Sequence, residues 1–208
     1  MEISALFKLS YGLYVLTANQ DGFDNGCIIN TAMQVTDTPL RMIVVVNKTN
    51  KTYEMIHQTK KFNVSTLSQE VPFDYFKQFG FQSGRDVNKF EAFNDVERSE
   101  NGILYIKDKA NTYISGSVVD EVDLGTHAMF VADVKDAKVL NNVESCTYSY
   151  YHANIKPKPQ PKKEEKEEGK AVWVCQICGY VYEGDPIPDD FVCPWCKHGA
   201  KDFKKEIR

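Results

Sequence analysis

Four of the six cysteines in this 208-residue chain fall within its last 34 residues, as the pairs Cys175/Cys178 and Cys193/Cys196, fourteen residues apart. In a chain with no export signal, two Cys-x-x-Cys pairs favour metal ligation over a disulfide framework. The spacing lets both sulfurs of a pair face one point, and four sulfurs at a tetrahedral centre suit zinc or iron. The segment from Val172 to Arg208 has 37 residues, fewer than the roughly 40 below which an apolar core alone seldom holds a fold. A bound metal is therefore expected to supply its stability. Gly179 follows the first pair, whereas Lys197 holds the equivalent place in the second, where a left-handed backbone costs more and slight strain is expected. Cys27 and Cys146 stand alone and read as packed thiols.

Before this segment runs KPKPQPKKEEKEEGK, with three prolines and an unbroken Lys/Glu run. Nothing in it can be buried, so it reads as a solvated tether. The expected organisation is a domain over 1–155, a charged linker over 156–171 and a metal-bound domain over 172–208. A formal net charge of −4 gives no basic footprint for a phosphate backbone, so nucleic acid is not an expected partner. No basic leader with an apolar run opens the chain, and nowhere do eighteen apolar residues follow one another. A cytoplasmic, membrane-free protein is expected.

Residues 1–155 read mainly as strands, over 12–18, 27–35, 41–46, 62–66, 102–107, 113–122 and 128–139, spaced as in an antiparallel barrel or sandwich. Helical spacing occurs over 51–58 and 71–79, too little for a doubly wound α/β fold. Neither a Gly-x-Gly-x-x-Gly after a strand nor a Gly-x-x-x-x-Gly-Lys-Ser/Thr loop is present. The expected fold class is thus mainly β, with any redox cofactor seated on a barrel.

The strings WVCQICGYVYEGDP, IPDDFVCPWC and KDF resemble rubredoxin, a carrier with one iron held by four cysteines, here Cys175, Cys178, Cys193 and Cys196. The stretch between the pairs is shorter than in typical rubredoxins and resembles the trimmed form attached to rubrerythrins. A zinc ribbon shares the two pairs and remains the alternative. The aromatic set Trp173, Tyr180, Tyr182, Phe191, Trp195 and Phe203 is what a rubredoxin-like miniature core needs.

Within 1–155, the series NGCIINTAMQV, the apolar strand over 42–46, NKTNKTYEMI, FNVSTLS, SGRDVNKF and THAMFVADV is similar to the flavin reductase and flavoredoxin family. That resemblance implies an FMN-binding split barrel, usually a homodimer. Asn30, Thr31, Ala32, Met33 and Gln34 then form the ring site, with Thr31 and Gln34 as polar contacts and Ala32 permitting close approach. Asn50 is expected to cap a helix starting at Lys51, whose N-terminus holds the phosphate beside Lys51 and Thr52, assisted by Asn47 and Lys48. Ser83, Arg85 and Lys89 form a second basic cluster where the family completes its phosphate site. His127 corresponds to a histidine that faces flavin or nicotinamide in relatives. Taken alone, these residues also fit an ordinary barrel strand, a solvated helix cap and a structural strand-end histidine. His57, His152 and His198 show no ligand spacing, and Tyr148, Tyr150 and Tyr151 read as packing or dimer contact.

Together the halves resemble the flavoredoxin–rubredoxin fusions called high-molecular-weight rubredoxins of anaerobic bacteria. The resemblance implies electron transfer from NAD(P)H through FMN and iron to a flavodiiron protein that reduces nitric oxide or oxygen. Two other functions remain open: a reductase that releases reduced FMN, and a flavin-carrying binding protein with a structural zinc.

Overall fold

Seven antiparallel strands form the main sheet, in the order β2-β1-β5-β8-β9-β4-β3. They are β1 (Tyr14–Gln20), β2 (Phe23–Ile29), β3 (Ala32–Asp37), β4 (Leu40–Asn47), β5 (Lys61–Leu67), β8 (Ala110–Asp123) and β9 (His127–Val139). A hairpin of β6 (Val96–Arg98) and β7 (Leu104–Ile106) lies outside this sheet. The two edge strands, β2 and β3, are consecutive in the chain and joined only through Asn30 and Thr31. A sheet whose opposite edges meet at a two-residue corner must curl into a barrel, and Val45 N–H closes the corner on the Thr31 carbonyl at 3.1 Å.

The computed structural model describes residues 2–157, 171–196 and 198–207, and the chain divides into two compact units, Met1–Ile155 and Lys156–Arg208. Most of the expected tether, and Lys197 with its expected strain, lie outside the described residues.

Period-2 alternation sorts the barrel's apolar residues into two cores. Leu16, Val44, Val46, Phe62, Val64 and Phe130 pack with Met55 and Ile56 of α1 (Lys51–Thr59). On the other side Leu13, Val15, Leu67 and Ile106 pack with Phe76 and Phe79 of α2 (Phe73–Gly80). β1 serves both cores, so its centre is buried on both faces. Close packing also fixes Gly116, where a Cβ would meet the Phe62 ring at 2.4 Å.

Three expectations are corrected. The strand expected over 27–35 breaks at Asn30–Thr31, because the chain there leaves one sheet edge for the other. The second helix begins at Phe73 rather than Val71, behind Pro72, which disfavours helical backbone in the residue before it. The short strand β6 was not expected; three residues with one partly buried carry almost no periodic signal.

In the smaller unit, β10 (Ala171–Cys175) lies between β11 (Val181–Tyr182) and β12 (Phe203–Ile207). Phe191 is central to its aromatic core, 4.6 Å from Tyr182 and 5.4 Å from Phe203 between ring centroids. Trp173 Nε1 donates to Asp185 Oδ1 at 3.1 Å, while Trp195 is half-exposed. Gly179 has φ +79°, the left-handed turn expected after the first cysteine pair.

Candidate functional site

The four cysteines of the smaller unit meet at one point. Cys175 Sγ is 3.6 Å from Cys196 Sγ and Cys178 Sγ is 3.4 Å from Cys193 Sγ, and all four sulfurs lie within 4.8 Å of one another. Thiolates about 2.3 Å from one tetrahedral ion stand about 3.8 Å apart, so the set fits a single metal. Each pair sits in a closed turn: Gly179 N–H donates to the Cys175 carbonyl at 2.9 Å, and Cys193 N–H to the His198 carbonyl at 2.8 Å. Backbone N–H groups then point at sulfur, from Tyr180 to Cys178, from Cys196 and Trp195 to Cys193, and from His198 to Cys196. Burial pushes the Cys178 thiol up to about 12 and raises Cys196 as well. Burial opposes ionisation of Cys193 too, but hydrogen bonds from the N–H groups of Cys196 and Trp195, together with those from the Cys178 and Cys196 thiols, hold that thiol below its ordinary value. A thiolate-binding cation would resolve the crowding.

The larger unit carries a groove of about 400 Å³. Asn30, Thr31, Asn47, Asn50 and His127 line it with polar groups, and Leu13, Ile28, Ile29, Val45 and Tyr148 with apolar ones. Strand pairing explains the polar wall: Asn47 at the end of β4 stands opposite His127 at the start of β9. Asn47 Oδ1 is taken by the N–H and the hydroxyl of Thr49, both at 2.9 Å. His127 Nδ1 lies 2.9 Å from the Thr126 hydroxyl.

Beside the groove is the N-terminus of α1. Asn50 holds the N-cap position with extended backbone, but its side chain makes no capping hydrogen bond, which corrects the expected Asn50 cap. Among the described residues the first-turn N–H groups have no side-chain acceptor, and they suit an anion. A flavin fits these features, the amide and hydroxyl groups meeting its polar ring edge and the uncapped helix its phosphate.

The expected cations near this helix are already engaged. Arg85 donates two hydrogen bonds to Glu54, at 2.8 and 2.7 Å, and a third to the Thr49 carbonyl at 3.3 Å. Lys51 Nζ reaches the same Glu54 carboxylate at 3.4 Å. Arg85, more than any other group, holds that carboxyl down to about 2. Lys48 pairs with Asp123 at 2.5 Å, and Ser83 Oγ accepts from Arg85 N–H at 3.2 Å. Glu54, which anchors Arg85 and Lys51 together, was missed from sequence; its spacing from Lys51 was the available signal.

Four expected flavin contacts lie elsewhere. Ala32, Met33 and Gln34 line a second, largely apolar groove of about 320 Å³ with Tyr14, Leu40 and Met42. The corner at Asn30–Thr31 separates them from the first groove, so the expected ring site over 30–34 is divided. Lys89 is 3% exposed, and its Nζ donates to the carbonyls of Gly26 at 2.8 Å and Phe79 at 3.1 Å. It ties β2 to the C-terminal turn of α2 and does not face the groove. The Thr52 side chain is likewise buried and accepts from Asn25 Nδ2 at 3.1 Å, leaving only its backbone N–H for an anion.

Residues 6–158 match the family described as flavin reductase like domain, and residues 173–204 match the rubrerythrin, rubredoxin-like domain. A high molecular weight rubredoxin of Moorella thermoacetica is 37% identical, over 99% of this chain and 100% of its own. The chain belongs to the high-molecular-weight rubredoxin family. A ferric-chelate reductase (NAD(P)H) of Archaeoglobus fulgidus is 35% identical over 76% of this chain and 93% of its own. The solved flavin reductase PheA2 superposes with a TM-score of 0.56 at 31% identity, covering 68% of this chain and 87% of that one. Family membership makes the larger unit a flavin reductase-like domain, and four cysteines in a rubredoxin-like domain imply iron. The combination is one of flavin-dependent electron transfer. Among the described residues, no helix is long and apolar enough to cross a membrane.

Proposed function

We propose that the chain oxidises NAD(P)H at an FMN held by the larger unit and delivers electrons singly through the iron of the smaller unit to a flavodiiron protein. A flavin accepts hydride as an electron pair and can release it singly, and a four-cysteine iron carries one electron. The observation that carries the proposal is the pairing, in one chain, of an amide-lined groove at an uncapped helix with a ready-made four-thiol centre.

The chain's own residues bind and orient. Asn30, Thr31 and Asn47 would fix the ring's polar edge, and the α1 N-terminus with Lys51 and Arg85 would hold the phosphate. Two cations beside one helix end suit the single phosphate ester of FMN. His127 shares the groove and would contact the flavin or the nicotinamide. Hydride transfer demands no general acid or nucleophile of the protein. At sulfur, the N–H groups of Tyr180, Trp195, Cys196 and His198 stabilise thiolate charge and so tune the metal's potential.

Two further features support the assembly proposed. Met33 is 57% and Leu40 46% exposed beside the second groove, an apolar face that a second copy would cover in a homodimer. Cys27 and Cys146, the two cysteines outside the metal centre, form no disulfide, which suits the reducing cytoplasm.

Metal analysis with a visible spectrum of the purified protein tests the proposal. One iron per chain, a red oxidised form and a flavin spectrum are expected. Zinc in place of iron would leave a flavin-carrying binding protein, and loss of the flavin on dilution would favour a reductase that releases it.

A further inference from the structure

The tyrosine run after β9 splits in a way that packing alone does not require. Tyr151 is 8% exposed and lies 4.4 Å from the Phe76 ring, and Tyr150 packs against the same core. Tyr148 instead turns outward, 42% exposed, and lines the groove that holds Asn30, Asn47 and His127. Among the described residues its hydroxyl makes no hydrogen bond.

The Tyr148 ring is nevertheless held in place. Its N–H donates to the Tyr11 carbonyl at 2.8 Å, and Thr147 pairs with Gly12 across an isolated bridge. Thr147 Oγ1 accepts from Tyr150 N–H at 3.1 Å and fixes the turn. One flank of the ring meets His152 edge-on, 4.6 Å between centroids at 65°. An aromatic ring with two rotatable bonds, anchored yet uncovered, offers contact area at little entropic cost.

The groove thus combines the amide and imidazole groups of Asn30, Asn47 and His127 with apolar side chains and the outward-facing Tyr148 ring. A small planar ring with apolar faces and a carboxamide on its edge matches both kinds of group. The flavin must stay bound between turnovers and belongs against the buried floor, where Leu13 is 2% and Ile29 6% exposed. The substrate comes and goes at the open side, where Tyr148 stands.

Resting on the reading of this groove as the flavin seat, we propose that Tyr148 is a substrate-binding residue whose ring packs against the nicotinamide of the reduced pyridine nucleotide. A stacked aromatic contact of this kind changes affinity by about 10-fold.

The test uses the full-length, flavin- and metal-loaded protein as wild type, Tyr148→Ala and Tyr148→Phe. NAD+ and NADP+ serve as non-reacting probes, titrated against the absorbance of the bound flavin. KM for NADH and NADPH, and the flavin Kd by fluorescence, are measured alongside. Tyr148→Ala is expected to raise the nucleotide Kd and KM about 10-fold and to leave the flavin Kd unchanged. Tyr148→Phe should restore both nucleotide values, because the ring rather than the hydroxyl is used. An unchanged KM in Tyr148→Ala, or a loss confined to flavin affinity, overturns the assignment. A wild type that neither binds flavin nor oxidises either nucleotide would overturn the parent reading, an outcome recognisable before any variant is measured.

Discussion

Lys89 offers a sharp separation between a ligand and a structural cation. Its ammonium is buried and donates to two carbonyls, Gly26 on β2 and Phe79 in the last turn of α2. The Phe79 carbonyl has no partner of its own in the helix ladder, and a positive charge there complements the helix dipole. Hydrogen bonds from a charged donor contribute about 1.5–3 kcal/mol each, but burial disfavours the ammonium and lowers its pKa, offsetting part of that gain. Replacing Lys89 with methionine keeps most of the volume and leaves both carbonyls unpaired, for a net cost of about 2–3 kcal/mol. At about 2–4 °C per kcal/mol for a chain of this size, the larger unit should melt about 4–12 °C lower. Urea or thermal melts followed by far-UV circular dichroism measure the loss. Fluorescence titration in the cold, where the variant is folded, should give an FMN Kd close to wild type. A variant as stable as wild type that has lost FMN affinity tenfold would refute the reasoning and make Lys89 a phosphate ligand.

Two other perturbations probe the remaining charges and thiols. Because Arg85 holds the Glu54 carboxyl near 2 in the folded chain, against an ordinary 4.5, its stabilisation is present above pH 4.5 and is lost as pH falls toward 2. With Glu54 and Arg85 side chains 37% and 41% exposed, screening leaves about 1 kcal/mol. Urea midpoints of wild type should therefore exceed those of Glu54→Gln at pH 6 and converge with them near pH 2; a constant gap would contradict the ion pair. Cys193→Ser should lose the metal and the fold of the smaller unit while flavin reduction by nicotinamide stays nearly intact, as followed by metal analysis and stopped-flow absorbance. If flavin reduction fails as well, the two units are not separable modules.

How far the sequence reached depended on how local each signal was. The cysteine centre was legible because ligand geometry is written in two short spacings, and the fold brings all four sulfurs within 4.8 Å of one another. Strands β4, β5, β8 and β9 were legible as apolar and β-branched runs spaced by turn residues, a local signal that survives whatever packs around them. The break at Asn30–Thr31 was not, since both flanks are strand-like and only barrel closure demands a corner there. Lys89 and Thr52 resembled phosphate ligands until β2 came together with α2 around the one and with α1 around the other, a long-range event that residue type does not record. Asn30 and His127 were expected beside the flavin ring and Asn47 beside its phosphate; all three line one groove, and the pairing of Asn47 with His127 supplies the physical reason. That Tyr148 faces a groove while Tyr150 and Tyr151 pack was not legible, because a tyrosine that packs and one that faces a groove are identical in sequence.

The central claim is that electrons taken in pairs by the larger unit leave singly through the smaller one. Anaerobic stopped-flow mixing of the loaded protein with excess NADH or NADPH tests it directly. The flavin band should bleach first and the visible bands of the oxidised iron should then disappear, at a rate independent of protein concentration, as transfer between tethered units requires. Iron that stays oxidised after the flavin has been fully bleached would contradict the account.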